Sequence, residues 1–107
     1  MKADDVKTLM AALKDRLQVL YGDRLKGLYL FGSHARHEAD EESDVDVLVV
    51  LDRVGNYSQE IDRTGQMISA LSLEHGVTIS RVFATEQRWL EDQTMFFLNV
   101  REEAVPV

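Results

Sequence analysis

Apolar positions recur along the chain in two rhythms, a helical one up to Tyr21 and a strand-like one soon after it. From about Asp4 to Tyr21, Val6, Leu9, Met10, Leu13, Leu17 and Leu20 return at helical spacing, with Lys7, Lys14, Asp15 and Arg16 on the polar side. This predicts a core-packing amphipathic helix, capped by Asp4 or Asp5 and stopped by Gly22. Leu25 to Phe31 reads as a mostly buried strand that Gly32-Ser33 breaks, and Ser33 is placed to cap a short helix running to Glu38. Asp40 to Ser43 is a polar loop. Asp44 to Leu51 reads as a second strand, because Val45, Val47, Val49 and Val50 are β-branched and Leu48 and Leu51 are apolar. Parallel and antiparallel pairing of the two strands both remain open at this point.

Asp52 to Tyr57 is a turn marked by Gly55-Asn56, after which Ser58 can cap a second long helix ending near His75, before Gly76. Ile61, Met67, Ile68, Leu71 and Leu73 form its apolar stripe, while Gly65 weakens its intrinsic propensity. Val77 to Phe83 reads as a third strand, Thr85 to Leu90 as a short helix, and Phe96 to Glu103 as a last short helix packing Phe96, Phe97, Leu98 and Val100 on the core. Pro106 marks the end of the regular elements. The order predicts a small α/β or α+β fold, a three- to four-stranded mixed sheet with helices packed on it. With no repeats, linkers or low-complexity segments, residues 1–107 read as a single domain.

Composition narrows the function more than the fold. There is no cysteine among the 107 residues, which excludes disulfides and thiolate-held metals. Neither a signal-like apolar segment nor a run of membrane-spanning length occurs, so a cytoplasmic protein without membrane contact is expected. A net charge of -7 argues against general nucleic-acid binding, which needs a basic surface.

The chemistry concentrates between Leu28 and Asp52. In a strand, Asp44 and Asp46 project to the same side, and two carboxylates that close repel unless a cation neutralises them. A divalent, oxygen-ligated metal such as Mg2+ is the natural third party. Gly32 permits close backbone approach to a phosphate, Ser33 can donate to it, and Arg36 could form a fork to its oxygens. Plainer readings stand beside these. Gly32-Ser33 could be a strand-ending turn, Asp44 a strand-start residue, and Arg36 a partner of the Asp40-Glu41-Glu42 loop. Asp46 is harder to dismiss, since a carboxylate inside an apolar strand is disfavoured without a partner. His34 and His37 read as surface histidines near the phosphate site and not as ligands. His75 sits well with a helix C-terminus, Asp40-Glu41-Glu42 reads as a solvated loop, and Trp89, Phe96 and Phe97 read as core or partner surface.

Gly32-Ser33, ten residues, then Asp44-Val45-Asp46 resembles the signature of the DNA polymerase β-like nucleotidyltransferase superfamily, and GSHAR followed by SDVDVLVV resembles its minimal nucleotidyltransferase domains. The resemblance is specific over Leu28 to Val50 and looser over the rest of the chain. It implies an enzyme that binds an NTP, ATP being the expected one, with Mg2+ on Asp44 and Asp46 and phosphate contacts from Gly32, Ser33 and Arg36, and that transfers a nucleoside monophosphate. Asp44 and Asp46 would be its catalytic residues. Minimal members are commonly paired with a HEPN-type helical protein as toxin and antitoxin, so an antitoxin acting on such a partner is implied. An alternative is a binding module that neutralises its partner by contact alone, and a weaker one is a transferase acting on a small molecule such as an antibiotic. The apolar C-terminal segment leaves a homo-oligomer possible.

The chain departs from the family pattern in two places. The family often has glycine where His37 stands. It also usually adds a third carboxylate on the next long strand, whereas Val77 to Phe83 contains none and would offer only Thr78 and Ser80 to the site. Family branches without this acid resemble this chain, including a closing segment like Phe96 to Glu103. The missing acid puts catalysis, more than binding, in question. Glu74, at a helix end, is not a substitute.

Overall fold

A computed structural model describes residues 1–107. The elements are α1 (Ala3–Tyr21), β1 (Leu25–Phe31), β2 (Val45–Leu51), α2 (Tyr57–His75), β3 (Ile79–Thr85), α3 (Glu86–Glu91), α4 (Met95–Glu103) and β4 (Val105–Pro106), with a 3-10 turn at Gly22–Arg24. The strands form one mixed sheet in the order β3-β2-β1-β4. β1 runs antiparallel to β2 and β4, and β3 runs parallel to β2. This is an α+β fold, and β4 is the added edge strand.

Strand alternation splits the core into two layers. Val45, Val47, Val49 and Leu51 face one side and pack with Leu9, Leu13, Leu17, Ile68 and Leu71 of α1 and α2. Leu48 and Val50 face the other side and pack with Phe97 and Val100 of α4. β2 is therefore apolar on both faces, which suits the second position in the sheet order and burial from both sides.

Several boundaries differ from the sequence reading, each for a local reason. α1 starts after Lys2 with no side-chain cap, while Asp4 and Asp5 lie in its first turn, where the helix dipole favours them. α2 is capped two residues before Ser58, by Asn56, whose side chain accepts from the Gln59 N–H at 3.3 Å. β3 begins at Ile79 and not Val77. Gly76 in the left-handed conformation lets the Val77 N–H return to Ser72 O, so pairing with β2 starts later. The segment after Ser33 is an irregular turn and not a short helix, and β1 and β2 pair antiparallel across it.

The buried stripe of α2 is Glu60, Thr64, Ile68 and Leu71, not the apolar set its hydrophobicity indicates, and Leu73 is 87% exposed. Polar groups enter the stripe because each finds a partner. Glu60 Oε1 accepts from Tyr21 Oη at 2.8 Å and from Arg63 Nε at 3.0 Å. Thr64 Oγ1 accepts from Arg81 Nε at 2.7 Å, and Arg81 Nη2 reaches Ile61 O, which ties β3 to α2. Burial and the Glu60 carboxylate hold the Tyr21 hydroxyl well above its ordinary pKa. Glu60→Ala is expected to lower unfolding free energy by about 2 kcal/mol, because it strips the buried Tyr21 hydroxyl, Arg63 and, at 3.8 Å, Arg24 of a charged acceptor. Urea denaturation checks this, and a loss below about 0.5 kcal/mol would count against the network.

Candidate functional site

The short connection from β1 to β2 folds back on itself at the exposed end of the strand pair. Arg36 N–H bonds to Gly32 O at 3.2 Å and Glu38 N–H to Ser33 O at 2.9 Å, closing the turn. Gly32 takes φ 76, and His37 takes φ 59, the one residue other than glycine with positive φ. A left-handed position suits glycine, which accounts physically for the glycine expected by resemblance at His37. The turn tucks His34 inward, so this histidine is buried and not on the surface. Its Nε2 lies 3.4 Å from Ser43 O, bridging the two ends of the connection. His37 stays exposed, as expected.

β-pairing brings the two halves of the motif together. Phe31 is the direct partner of Asp46, so Gly32 leaves β1 beside that carboxylate. A Cβ built on Gly32 would collide with Asp46 Oδ2, which makes this glycine a requirement of space as well as of backbone conformation. Asp46 lies on the α4 side of β2, by alternation with Leu48 and Val50. Burial, then the nearby Asp44 charge, pushes the Asp46 carboxyl above its ordinary pKa, while His34 and Arg36 pull the other way. None of the seven salt bridges of the chain involves Asp46. A half-buried carboxylate next to a second one, without a cationic partner, has the chemistry of a hard divalent cation's ligand. No group of three or more acidic or histidine side chains converges to cage a metal. Mg2+ nevertheless fits this donor set, since it binds through one or two carboxylates plus phosphate oxygens and water.

Arg36 is brought to the same end but does not contact the acidic loop. Its Nε donates to Glu38 Oε2 at 3.0 Å and its Nη1 to Glu103 Oε2 at 2.7 Å. Asp40 closes its own loop instead, accepting from Glu42 N–H and Ser43 Oγ. Ser33 lies in the turn, half-buried. On β3, Ser80 stands in register with Asp46 and Thr78 falls outside the strand, so no carboxylate comes from that side. Glu74, near the C-terminal end of α2, lies 3.9 Å from Arg16. The sequence reading missed Glu103, whose charge reaches Asp46 from α4, and its local signal is only that of a polar helix-end residue. Trp89 stacks on Tyr29 at 4.5 Å, Phe97 is buried, and Phe96 meets Phe31 edge-on while staying 42% exposed.

Two outcomes follow from this geometry. Gly32→Ala should displace the Asp46 side chain and strain the turn, at a cost above about 1 kcal/mol. Asp46→Asn should stabilise the metal-free protein at neutral pH. The folded state holds the Asp46 proton more tightly than the unfolded chain, so the wild type loses stability as pH rises through the raised pKa, while the amide does not. Melting curves from pH 4 to 8 should show the variant gaining on the wild type as pH rises, and a constant gap would contradict the assignment.

A family described as the nucleotidyltransferase domain matches residues 10–99. A Methanocaldococcus jannaschii protein named as a candidate protein adenylyltransferase is 33% identical over 99 residues, spanning 92% of this chain and 89% of the relative. Another of that name and organism is 30% identical over 78 residues, spanning 73% of this chain and 78% of the relative. Among solved structures, a candidate minimal nucleotidyltransferase superposes with TM-score 0.63 at 28% identity, covering 100% of this chain and 97% of its own. A toxin-antitoxin structure with AMP-PNP shares the fold, with TM-score 0.58 at 17% identity over 99% of this chain and 72% of its own. A motif of glycine, serine and paired aspartates assembled at one sheet end thus coincides with a match over most of the sequence, and the chain belongs to the nucleotidyltransferase domain family.

Proposed function

We propose that this chain binds Mg-ATP at the end of β1 and β2 and transfers AMP to a hydroxyl of a partner protein, as the antitoxin of a HEPN-type pair. The observation that carries the reading is the fit of Gly32 against Asp46, with Asp44 and Arg36 at the same sheet end. The names of the two archaeal relatives support protein adenylylation, and the toxin-antitoxin neighbour supports the partner and the nucleotide. The acidic surface, net charge -7, would suit a basic partner. A cytoplasmic setting goes with an ATP-dependent reaction on a cellular protein.

In this reading each residue has a separate task. Asp44 and Asp46 hold the metal, which when bound neutralises charge on the phosphate oxygens. The turn after Gly32 presents backbone N–H groups and the Ser33 hydroxyl to the triphosphate, and Gly32 keeps the approach open. Arg36 adds a fixed positive charge beside the phosphates. An acceptor oxygen would bond to the α-phosphorus as the bond to pyrophosphate breaks, with the acceptor's proton passing to water or to a base on the partner.

One observation favours a second reading. Ser80, not an acid, is the β3 residue in register with Asp46, so the chain could neutralise its partner by contact, without transfer. Labelled ATP, Mg2+ and the product of the adjacent gene separate the two. Transfer predicts label on the partner that disappears in Asp46→Asn, whereas neutralisation without label, surviving Asp44→Asn with Asp46→Asn, would establish the contact reading. Calorimetry should show Mg-ATP affinity falling at least about tenfold in either single variant. Unchanged affinity in both would show that the site has been misassigned.

A further inference from the structure

We propose that Glu103 is a positioning residue of the nucleotide site: carried in by α4, it holds Arg36 beside the phosphate turn and away from the Asp44–Asp46 pair. The inference rests on the nucleotide reading above and adds to it a residue from the opposite end of the chain.

Arg36 needs such an anchor. It stands on an irregular turn, its side chain is 43% exposed, and a free arginine gives up about 2 kcal/mol of rotamer entropy when it is fixed. Its bond to Glu38 cannot orient it relative to the sheet, because Glu38 belongs to the same turn and its side chain is 65% exposed. Glu103 differs on both counts. Its side chain is only 21% exposed, and it meets Arg36 across 67 residues of sequence.

The ground under Glu103 is firm. Phe97 and Val100 of α4 are buried against β2. Arg101 donates to the carbonyls of Trp89 and Asp92 and ties α4 to the end of α3. Beyond Glu103, Val105 and Pro106 pair with β1, and Val107 N–H bonds to Leu28 O at 2.9 Å. The Arg36 fork is thereby referenced to the sheet that carries Asp46.

The contact also explains why Asp46 lacks an arginine partner. Arg36 is the arginine whose charge acts on that carboxylate, and without a competitor it would be free to fold onto the aspartate pair, where a metal would sit. Glu38 and Glu103 engage Nε and Nη1 and leave Nη2 without a protein partner. Nη2 thus stays available for a phosphate oxygen, and preorganisation of this kind raises affinity by lowering the ordering cost of binding.

The test is a double-mutant cycle on Mg-ATP affinity, using the full chain. Glu103→Gln should weaken binding about 5- to 10-fold, and the same change in an Arg36→Ala background should weaken it no further. Melting temperatures of all variants control for folding. The Arg36 Nε–H signal in a 1H–15N NMR spectrum, assigned by its loss in Arg36→Lys, should shift and exchange faster with water in Glu103→Gln even without nucleotide. Wild-type affinity in Glu103→Gln, an equal loss in both backgrounds, or an unmoved Arg36 signal would overturn the inference while leaving the nucleotide reading intact. A wild-type chain that binds no Mg-ATP would instead overturn the nucleotide reading, and this inference with it.

Discussion

A carboxylate half-sunk in the end of an apolar strand, with a second one beside it, is the constraint around which this end of the molecule is arranged. Desolvation and the Asp44 charge both disfavour ionised Asp46. Such a group persists only where the surrounding structure over-determines it. Here β2 supplies that determination, with Val45, Val47, Leu48, Val49, Val50 and Leu51 all buried around the single polar position. The strain is local, and the two-sided core of β2 outweighs it.

The neighbouring features answer that constraint. Gly32 turns away in a left-handed conformation and leaves no Cβ to strike Asp46. The connection from β1 to β2 is drawn tight by its own backbone bonds and by His34 against Ser43 O. Arg36, the cation that would most simply cancel the repulsion, is engaged by Glu38 and Glu103 instead. No arginine therefore neutralises the Asp44–Asp46 pair, an arrangement that stability alone would not favour.

Much of this was legible in the sequence because it depends on local chemistry. An apolar run broken by Gly32-Ser33 marks β1, a β-branched run marks β2, helical periodicity and the glycines at 22 and 76 bound α1 and α2, and the spacing from Gly32-Ser33 to Asp44-Val45-Asp46 carries the motif. What was not legible depends on partners distant in sequence. Glu60 and Thr64 lie outside the apolar stripe that the sequence marks on α2, and they are buried because Tyr21, Arg63 and Arg81 satisfy them. His34 reads as exposed until the turn folds over it. Glu103 reads as a helix-end acid until α4 packs across the sheet and brings it to Arg36. The β3 boundary shifted because Gly76 carries its turn past Val77, which a hydrophobicity pattern does not register.

Family membership and fold place this chain among nucleotidyltransferases, and the proposed chemistry depends on where a metal-nucleotide complex would sit. Titrating the 15N-labelled protein with Mn2+ and a non-hydrolysable ATP analogue locates it most directly, through paramagnetic broadening of backbone amides. The account predicts broadening centred on Gly32 to Arg36 and Asp44 to Asp46, reaching the end of α4 at Glu103. Broadening centred on the exposed Asp40-Glu41-Glu42 loop, or none that depends on the nucleotide, would contradict it.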